Sequence, residues 1–340
     1  MMNYIKSPCF EAFTLDGNNV IFTGSRQKII TNQEFFFEVI EIANFCNEPR
    51  NSLELNEFMI HNHIKQNSLE YALEHKILIN NQIDLSSRYS RNDIYLEYQG
   101  IDSKALREKL QEMNFLIAGC GGIGNIMSFT MTSLGAKNLI LLDDDVVEIS
   151  NLNRQFLFTE EDVGQKKVDA LERSLKKINS TLNIKKINSN LERLELNNSD
   201  VSLIILSADS DNALEMVTRF ATSRRIPILS VGYLADISCV GPFYIPRVSS
   251  CPLCTNIYTD EHKEIDERLV LVNSNYKAPS APMNNFLASI LAVNDIINFI
   301  SGNTERIKSL NKRYGMNSFT FEQDYIDCPI SGHCRYCSDN

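Results

Sequence analysis

The sequence lacks an excess of positive charge. Its 33 Lys and Arg stand against 43 Asp and Glu, a formal net charge of −10 over 340 residues. A protein whose main task is holding nucleic acid needs a basic face to neutralise phosphates, so no nucleic-acid partner is expected, although one local basic pocket is compatible with this balance. An unbroken apolar run of about 18 residues is also missing. The best candidate, 286–300, is interrupted by Asn294, Asp295 and Asn298 and reads as an amphipathic core helix. The opening MMNYIKSPCFEAF has no basic segment followed by an apolar one. No secretory signal and no membrane partner are expected, and the expected setting is cytoplasmic. Nor is there an internal repeat or a low-complexity tract. The nine cysteines are odd in number. In a reducing compartment they serve as thiols, metal ligands or catalysts rather than as disulfides.

What is present changes along the chain. Residues 1–85 are rich in Asn, Glu, Phe and Ile. QEFFFEVIEIANFC (33–46) carries apolar residues at helical spacing. LNEFMIHNHIKQ (55–66) and SLEYALEHKIL (68–78) read as two more short helices, the second running into a strand and turn at ILINNQID. About three helices and a few strands would make a small winged-helix-like module; the plainer reading is a cap on the main domain. SSRYSRNDIYLEYQG (86–100) reads as a polar connector. From 101 the pattern alternates: helix (SKALREKLQEMN), strand (FLIAG), helix (GIGNIMSFTMTSLG), strand (NLILLDDD), helix (VGQKKVDALERSLKKIN), strand (LNIKKINSNL), strand (VSLIILSAD), helix (212–223), strand (IPILSVG). That series predicts an α/β fold with a parallel sheet covered by helices on both faces and ligands at the carboxyl ends of its strands. ISCVGPFYIP and SFTFEQDYI alternate and are expected to extend the sheet antiparallel, making it mixed.

Gly119, Gly121 and Gly124 in IAGCGGIGN form G-x-G-x-x-G between a strand and a helix. Such a loop lets the backbone approach phosphate closely and aims free helix amides at the anion. Asp143, roughly 20 positions on, suits ribose hydroxyls. To this point NAD and ATP fit equally. The following SNLNRQFLF (150–158) and DVGQKK (162–167) place Arg154 and Lys167 just past the nucleotide strand. Hydride transfer has no use for two extra cations there. Cleavage between the α- and β-phosphates does, because charge builds on the departing pyrophosphate. Asp209 ends the LIILSAD strand and offers a carboxylate for Mg²⁺. Cys251/Cys254 and Cys334/Cys337 are two C-x-x-C pairs, together a closed set of four thiolates for structural zinc, with His333 or Cys328 the alternative for one ligand.

In GCGGIGN, LLDDDVVEISNLNRQFLF, DVGQKK and SAD the sequence resembles the adenylating domain of the ThiF/MoeB and ubiquitin-activating-enzyme-like family, over about 105–300. The resemblance implies a Rossmann-like adenylation domain. In it Gly119, Gly121, Gly122, Gly124, Asp143, Asp145, Asn151, Arg154, Gln155 and Lys167 would bind ATP, and Asp209 would hold Mg²⁺. Arg154, Lys167 and Asp209 would act on the phosphates together with Arg91 (in SRYSRN), which matches an arginine donated across a homodimer. SRYSRN, VGYLADISCVGPFYIP, LVNSNYKAPSAPMNN and SLNKRYG extend the likeness across nearly the whole chain to the MccB-like group that matures microcin C, and to the pantocin-type PaaA group. Both act on short ribosomal precursor peptides in antibiotic biosynthesis. By that resemblance 1–85 is a peptide-recognition module and 86–340 the adenylation domain with its crossover loop. Tyr276, Lys277 and the Pro279/Pro282/Asn284 stretch belong to that loop, and Lys277 and Arg313 are candidates to meet the peptide carboxylate. DVGQKK departs from the group by lacking the first lysine of G-K-x-K. Thioester chemistry is not expected, since neither Cys120 nor Cys239 has an evident activating base or cation. The rival readings are a sulfur-carrier activator acting on a Gly-Gly terminus, a non-enzymatic peptide binder and an NAD-dependent oxidoreductase.

Overall fold

In the computed structural model, which describes residues 3–80, 83–189, 201–208, 213–255 and 279–338, the chain divides into Met1–Arg107 and Glu108–Asn340. The first unit opens with β1 (Asn3–Lys6) and a meander of β2 (Phe10–Leu15), β3 (Asn18–Thr23) and β4 (Arg26–Ile30). Asp16 and Gly17 form the first hairpin turn, both at positive φ (50° and 77°), as Asp-Gly turns between antiparallel strands require. Then come α1 (Gln33–Phe45), β5 (Arg50–Asn51), α2 (Ser52–His61), α3 (Gln66–Glu74) and β6 (Leu78–Ile79). β1 pairs antiparallel with β5 and β6.

Local chemistry sets these helix starts. The Asn32 side chain accepts from Phe35 N, and Asn51 with Glu54 forms a capping box, each cap contributing about 1 kcal/mol. Ile21 and Ile30 from the meander, Val39 and Ile42 from α1, and Leu55, Met59, Leu69 and Ala72 from α2 and α3 share one core. The three short helices expected from the sequence are present as α1, α2 and α3, with short strands around them.

The segment 86–100 is not a polar connector. It holds α4 (Ser90–Tyr98). Leu96 is buried, Arg107 pairs with Asp93 and lies over the Tyr89 ring, and Glu97 accepts from Ser103 N and Oγ (2.9 and 2.8 Å). One buried apolar residue carries too weak a period to be read as helix; tertiary pairs hold it.

The second unit follows the expected alternation. α5 (Ser103–Glu112), within which the division falls, leads to β7 (Asn114–Ala118), α6 (Gly122–Leu134), β8 (Asn138–Leu142), α7 (Lys167–Ile178), β9 (Asn183–Ile187), β10 (Leu203–Leu206), α8 (Ala213–Arg224), β11 (Ile228–Leu234) and β12 (Ile237–Tyr244). α9 (Pro282–Ser301), β13 (Lys312–Asn317) and β14 (Gln323–Asp327) complete it. The strands form one eight-stranded sheet ordered β14-β13-β12-β11-β10-β7-β8-β9, parallel from β11 to β9 and antiparallel beyond. This is a Rossmann-like mixed sheet. Leu116, Ile140, Ile204 and Ile228 face Val217, Phe220 and Ala221 of α8. Fully burying such side chains contributes about 1.5–3 kcal/mol each. β13 lies in the SLNKRYG segment and was not expected as a strand, and SFTFEQDYI becomes strand only from Gln323.

α9 is long and apolar enough to cross a membrane by composition, yet over half of that window is buried within the protein (56%). Its polar interruption at Asp295 is also internal: the carboxylate accepts from Lys308 N (2.9 Å), Ser309 N (2.9 Å) and Ser309 Oγ (2.5 Å). Pro282 is the first residue of this helix, so Asn284 stands inside it rather than in a crossing loop.

Candidate nucleotide site and cysteine cluster

The carboxyl ends of β7 and β8 meet at the glycine loop. Gly119 has φ +95°, and a β-carbon there would fall 2.7 Å from the backbone N of Ala208; one on Gly124 would collide with the Gly119 carbonyl oxygen. Gly121 precedes α6 without any side-chain cap, so the first amides of that helix are left to a ligand. Gln155 lies beneath Gly121, with Nε2 3.9 Å from where its β-carbon would be. Its Oε1 is buried with no hydrogen-bond partner among the described residues. A glycine cradle with an orphaned polar atom below it fits a polar ligand such as a nucleotide phosphate.

Asp143 stands at the end of β8. One oxygen accepts from Cys120 N (2.6 Å), the other from Asp145 N (2.9 Å). Burial pushes its carboxyl above the ordinary range, against the pull of Lys167. Lys167, the first residue of α7, is 7% exposed. Its Nζ reaches Asp145 Oδ2 at 2.6 Å and its backbone N donates to the Asp145 carbonyl (3.0 Å). The Val146–Lys166 bridge holds the two segments together. A buried ammonium is thus fixed beside the glycine loop, with the partly exposed Asp145 as its counter-ion.

The segment between them is folded by its asparagines. Asn151, in a 3₁₀ turn, accepts from Glu148 N at Oδ1 (3.0 Å), and its carbonyl accepts from Arg154 N and Gln155 N. Asn125 of α6 accepts from Leu157 N (3.0 Å) and pins the far end to the helix. Arg154 is half-buried, with Nη1 on the Ser150 carbonyl (2.8 Å) and Asn153 Oδ1 (3.0 Å). Gly119, Gly121, Gly122, Gly124, Asp143, Asp145, Asn151, Arg154, Gln155 and Lys167 therefore sit on one loop cluster. Asp209, Tyr276 and Lys277 lie outside the described residues. Arg91 is exposed in the first turn of α4, with no hydrogen bond or ion pair among the described residues.

Two residues that hold this cluster escaped the sequence reading. One is Asn125. The other is Asn285 of α9, whose Oδ1 abuts Gly122. The signal was there in each case: an asparagine on the buried face of an apolar helix.

Cys251, Cys254, Cys334 and Cys337 converge, all four sulfurs within 4.8 Å of one another. Sγ separations are 3.6 Å (251–334), 3.8 Å (251–254) and 3.3 Å (254–337). A tetrahedral zinc with Zn–S bonds of about 2.3 Å needs edges of about 3.8 Å. The set fits. The neighbouring Cys251 and Cys337 sulfurs pull the Cys254 thiol below its ordinary value, toward the thiolate form a metal takes. Cys328 and His333 are not in the cluster.

Cys120 is buried, and burial together with Asp143 keeps its thiol well above the ordinary value. For Cys239 the expectation needs correcting, because a cation does lie on it: Arg313 Nη2 donates to its Sγ at 3.0 Å. β13 brings the arginine across from a strand that sequence spacing did not place.

Residues 92–337 match the ThiF family. The chain belongs to the ThiF family. Among curated ThiF-like relatives, it is 34% identical over 139 residues to the molybdopterin-synthase adenylyltransferase of Escherichia coli K12, covering 41% of this chain and 51% of that one. It is 30% identical over 176 residues to the sulfur carrier protein ThiS adenylyltransferase of Bacillus subtilis, half of each chain. The chain thus spans about half the length of these two relatives. Among solved structures it matches E. coli MccB with AMPCPP and MccA at TM-score 0.82 and 28% identity, over 99% of both chains. MccB with ATP matches at TM-score 0.82 and 27%. PaaA matches at TM-score 0.67 and 20% identity over 95% of this chain and 99% of that one, a likeness of fold.

Proposed function

We propose that this ThiF-family protein uses ATP to adenylate a carboxylate of a short, ribosomally made precursor peptide in the biosynthesis of a microcin- or pantocin-like antibiotic. One observation carries the reading: the likeness to MccB bound to nucleotide and MccA runs over 99% of both chains. It therefore takes in the N-terminal unit, which a bare nucleotide fold would not need. In the mechanism, a peptide carboxylate oxygen attacks the α-phosphorus of ATP, the bond to pyrophosphate breaks, and an acyl-adenylate forms. Lys167 and Arg154 balance the charge gathering on pyrophosphate, with Arg91 of a second copy completing the set. Asp143 holds the ribose, and Asn151 and Gln155 fix the phosphate side. Mg²⁺, assigned to Asp209, would neutralise phosphate oxygens. An internal amide nitrogen, giving its N–H proton to a phosphate oxygen of the departing AMP, or a second carboxylate then attacks the acyl carbon and AMP leaves, yielding a cyclic imide or an anhydride. No general base is required beyond a good leaving group and positioning.

The remaining assignments belong to the same reading: a homodimer, structural zinc in the four-cysteine cluster, a cytoplasmic setting, and the N-terminal unit as a peptide-recognition element that takes an extended segment as a strand or in a groove. The deciding test is intact-mass spectrometry of the candidate precursor peptide after incubation with the protein, ATP and Mg²⁺. A gain of nucleotide mass establishes the MccB-like product. Loss of water without nucleotide establishes dehydration. The matches to a molybdopterin-synthase adenylyltransferase and a sulfur carrier protein adenylyltransferase favour a second reading, activation of a Gly-Gly carboxyl terminus. Pyrophosphate released only when such a carrier protein is supplied would replace the first reading with that one.

A further inference from the structure

The first turn of α9 is tied to the glycine loop through a pair of asparagines. Asn285 is 1% exposed. Its Nδ2 donates to the Ala281 carbonyl (2.6 Å) and lies 3.1 Å from Ser280 Oγ and 3.0 Å from Asn284 Oδ1. The Ala281 carbonyl can only accept, so the amide orientation is determined: nitrogen toward Ala281, oxygen toward Gly122. That oxygen fills the space a β-carbon on Gly122 would need. Ser280 in turn accepts from the Tyr233 hydroxyl (2.8 Å) at the end of β11. Asn284 Nδ2 donates to the Ala235 carbonyl (3.0 Å), and the Asn284 carbonyl accepts from Ser238 Oγ (2.9 Å). Asn284 therefore holds both sides of the β11–β12 turn, through its side-chain amide and its backbone carbonyl, while Asn285 abuts the residue that begins α6. A buried amide is costly unless partnered, and packing an apolar helix needs none. Asn284 is partnered at both ends of its amide and Asn285 at its nitrogen, and two such buried amides in succession mark a position fixed for another purpose.

We propose that Asn285 is a positioning residue for the nucleotide. Its Oδ1 sets the height of Gly122, and with it the aim of the free amides at the start of α6. Through Asn284, Ser280 and Tyr233 it links that aim to the β11–β12 turn. The inference rests on the glycine loop being the ATP site.

Two measurements test it, both by isothermal titration with ATP. Asn285→Asp keeps the shape but places an ionisable oxygen against the phosphate-binding turn. Its affinity for ATP is expected to fall at least tenfold at pH 8 and to recover toward the wild-type value as pH is lowered to 6, a recovery the wild type does not show. A lower melting temperature with unchanged ATP affinity would overturn the proposal. The second measurement is a cycle of Gly122→Ala, Asn285→Ala and the double variant, where the alanine methyl and the amide compete for one space. The two losses are expected to be non-additive by at least tenfold, because removing the amide makes room for the methyl. Additive losses, with wild-type ATP binding intact, would sink the Asn285 role alone. Failure of the wild type to bind ATP would instead sink the nucleotide reading beneath it.

Discussion

Asp143 shows how one residue can serve structure and ligand in conflicting ways. Burial raises its folded pKa above the ordinary 3.8. A carboxyl whose folded pKa is raised adds stability that is complete below about pH 3.8 and is lost as pH rises through the folded value. At neutral pH the carboxylate is therefore kept against a stability cost, and the two backbone donors it accepts explain how. In the proposed function it is the ionised form of Asp143 that holds the ribose of ATP. Affinity should weaken on acidification at a higher pH than ordinary carboxylates titrate, and Asp143→Asn should bind weakly at every pH; a wild-type affinity that stays flat until the ordinary carboxylate range is reached would contradict this. Gly124 is constrained by space alone. Gly124→Ala drives a methyl into the Gly119 carbonyl, and backbone cannot step aside. ATP-dependent thermal stabilisation should vanish in that variant and persist in Gly332→Ala, where the added methyl meets open space.

At the scale of elements, what could be read ahead was what repeats. Strands β7, β8, β10 and β11 are short apolar runs with helical periods between them, and the glycine loop falls at their junction. What could not be read depended on single long-range contacts. α4 has one buried leucine and is held by Arg107 and Glu97. β13 begins Lys-Arg-Tyr, a pattern with no strand signature, and is recruited by pairing with β12. Arg154 and Lys167 can be singled out from the sequence as candidates because two cations just past a glycine-loop strand need a reason. The Asp145 counter-ion's grip on Lys167 and the Asn285 contact were hidden in the fold. The cysteine cluster acts at this scale too. It joins the turn after β12 to the C-terminal turn, where Tyr336 also donates to Glu215 of α8 (2.7 Å). Metal analysis should find one zinc per chain. Cys254→Ala should abolish it and lower the Tm by roughly 10 °C, on the order of 4 kcal/mol. Full stoichiometric zinc in that variant would refute the assignment of all four cysteines as ligands. Asp295 ties α9 to the segment before β13. Asp295→Ala would strand three donors, and a loss of about 3 kcal/mol in denaturant unfolding is expected.

For the whole molecule the open question is whether one chain holds a complete site. Lys167 and Arg154 sit at the nucleotide loop of their own chain, whereas Arg91 is exposed and carries no bond among the described residues. A cation left unengaged in this way suits a role in a neighbour's site, and a shared site has a signature that no intrachain arrangement reproduces. Lys167→Ala and Arg91→Ala should each be inactive in ATP–pyrophosphate exchange. If Arg91 acts across a twofold dimer, mixing the two variants under conditions that exchange subunits creates mixed dimers. In each of these, one site keeps its own Lys167 and receives an intact Arg91 from its partner, while the other site lacks both. Random exchange makes about half of the dimers mixed, with one good site of two, so activity should return to about a quarter of the wild-type value. If each chain uses its own Arg91, every site in the mixture lacks one of the two cations and activity stays at the level of the separate variants. Recovery would also fix the stoichiometry: a functional unit of two chains, in which substrate bound at one site depends on the fold of the other.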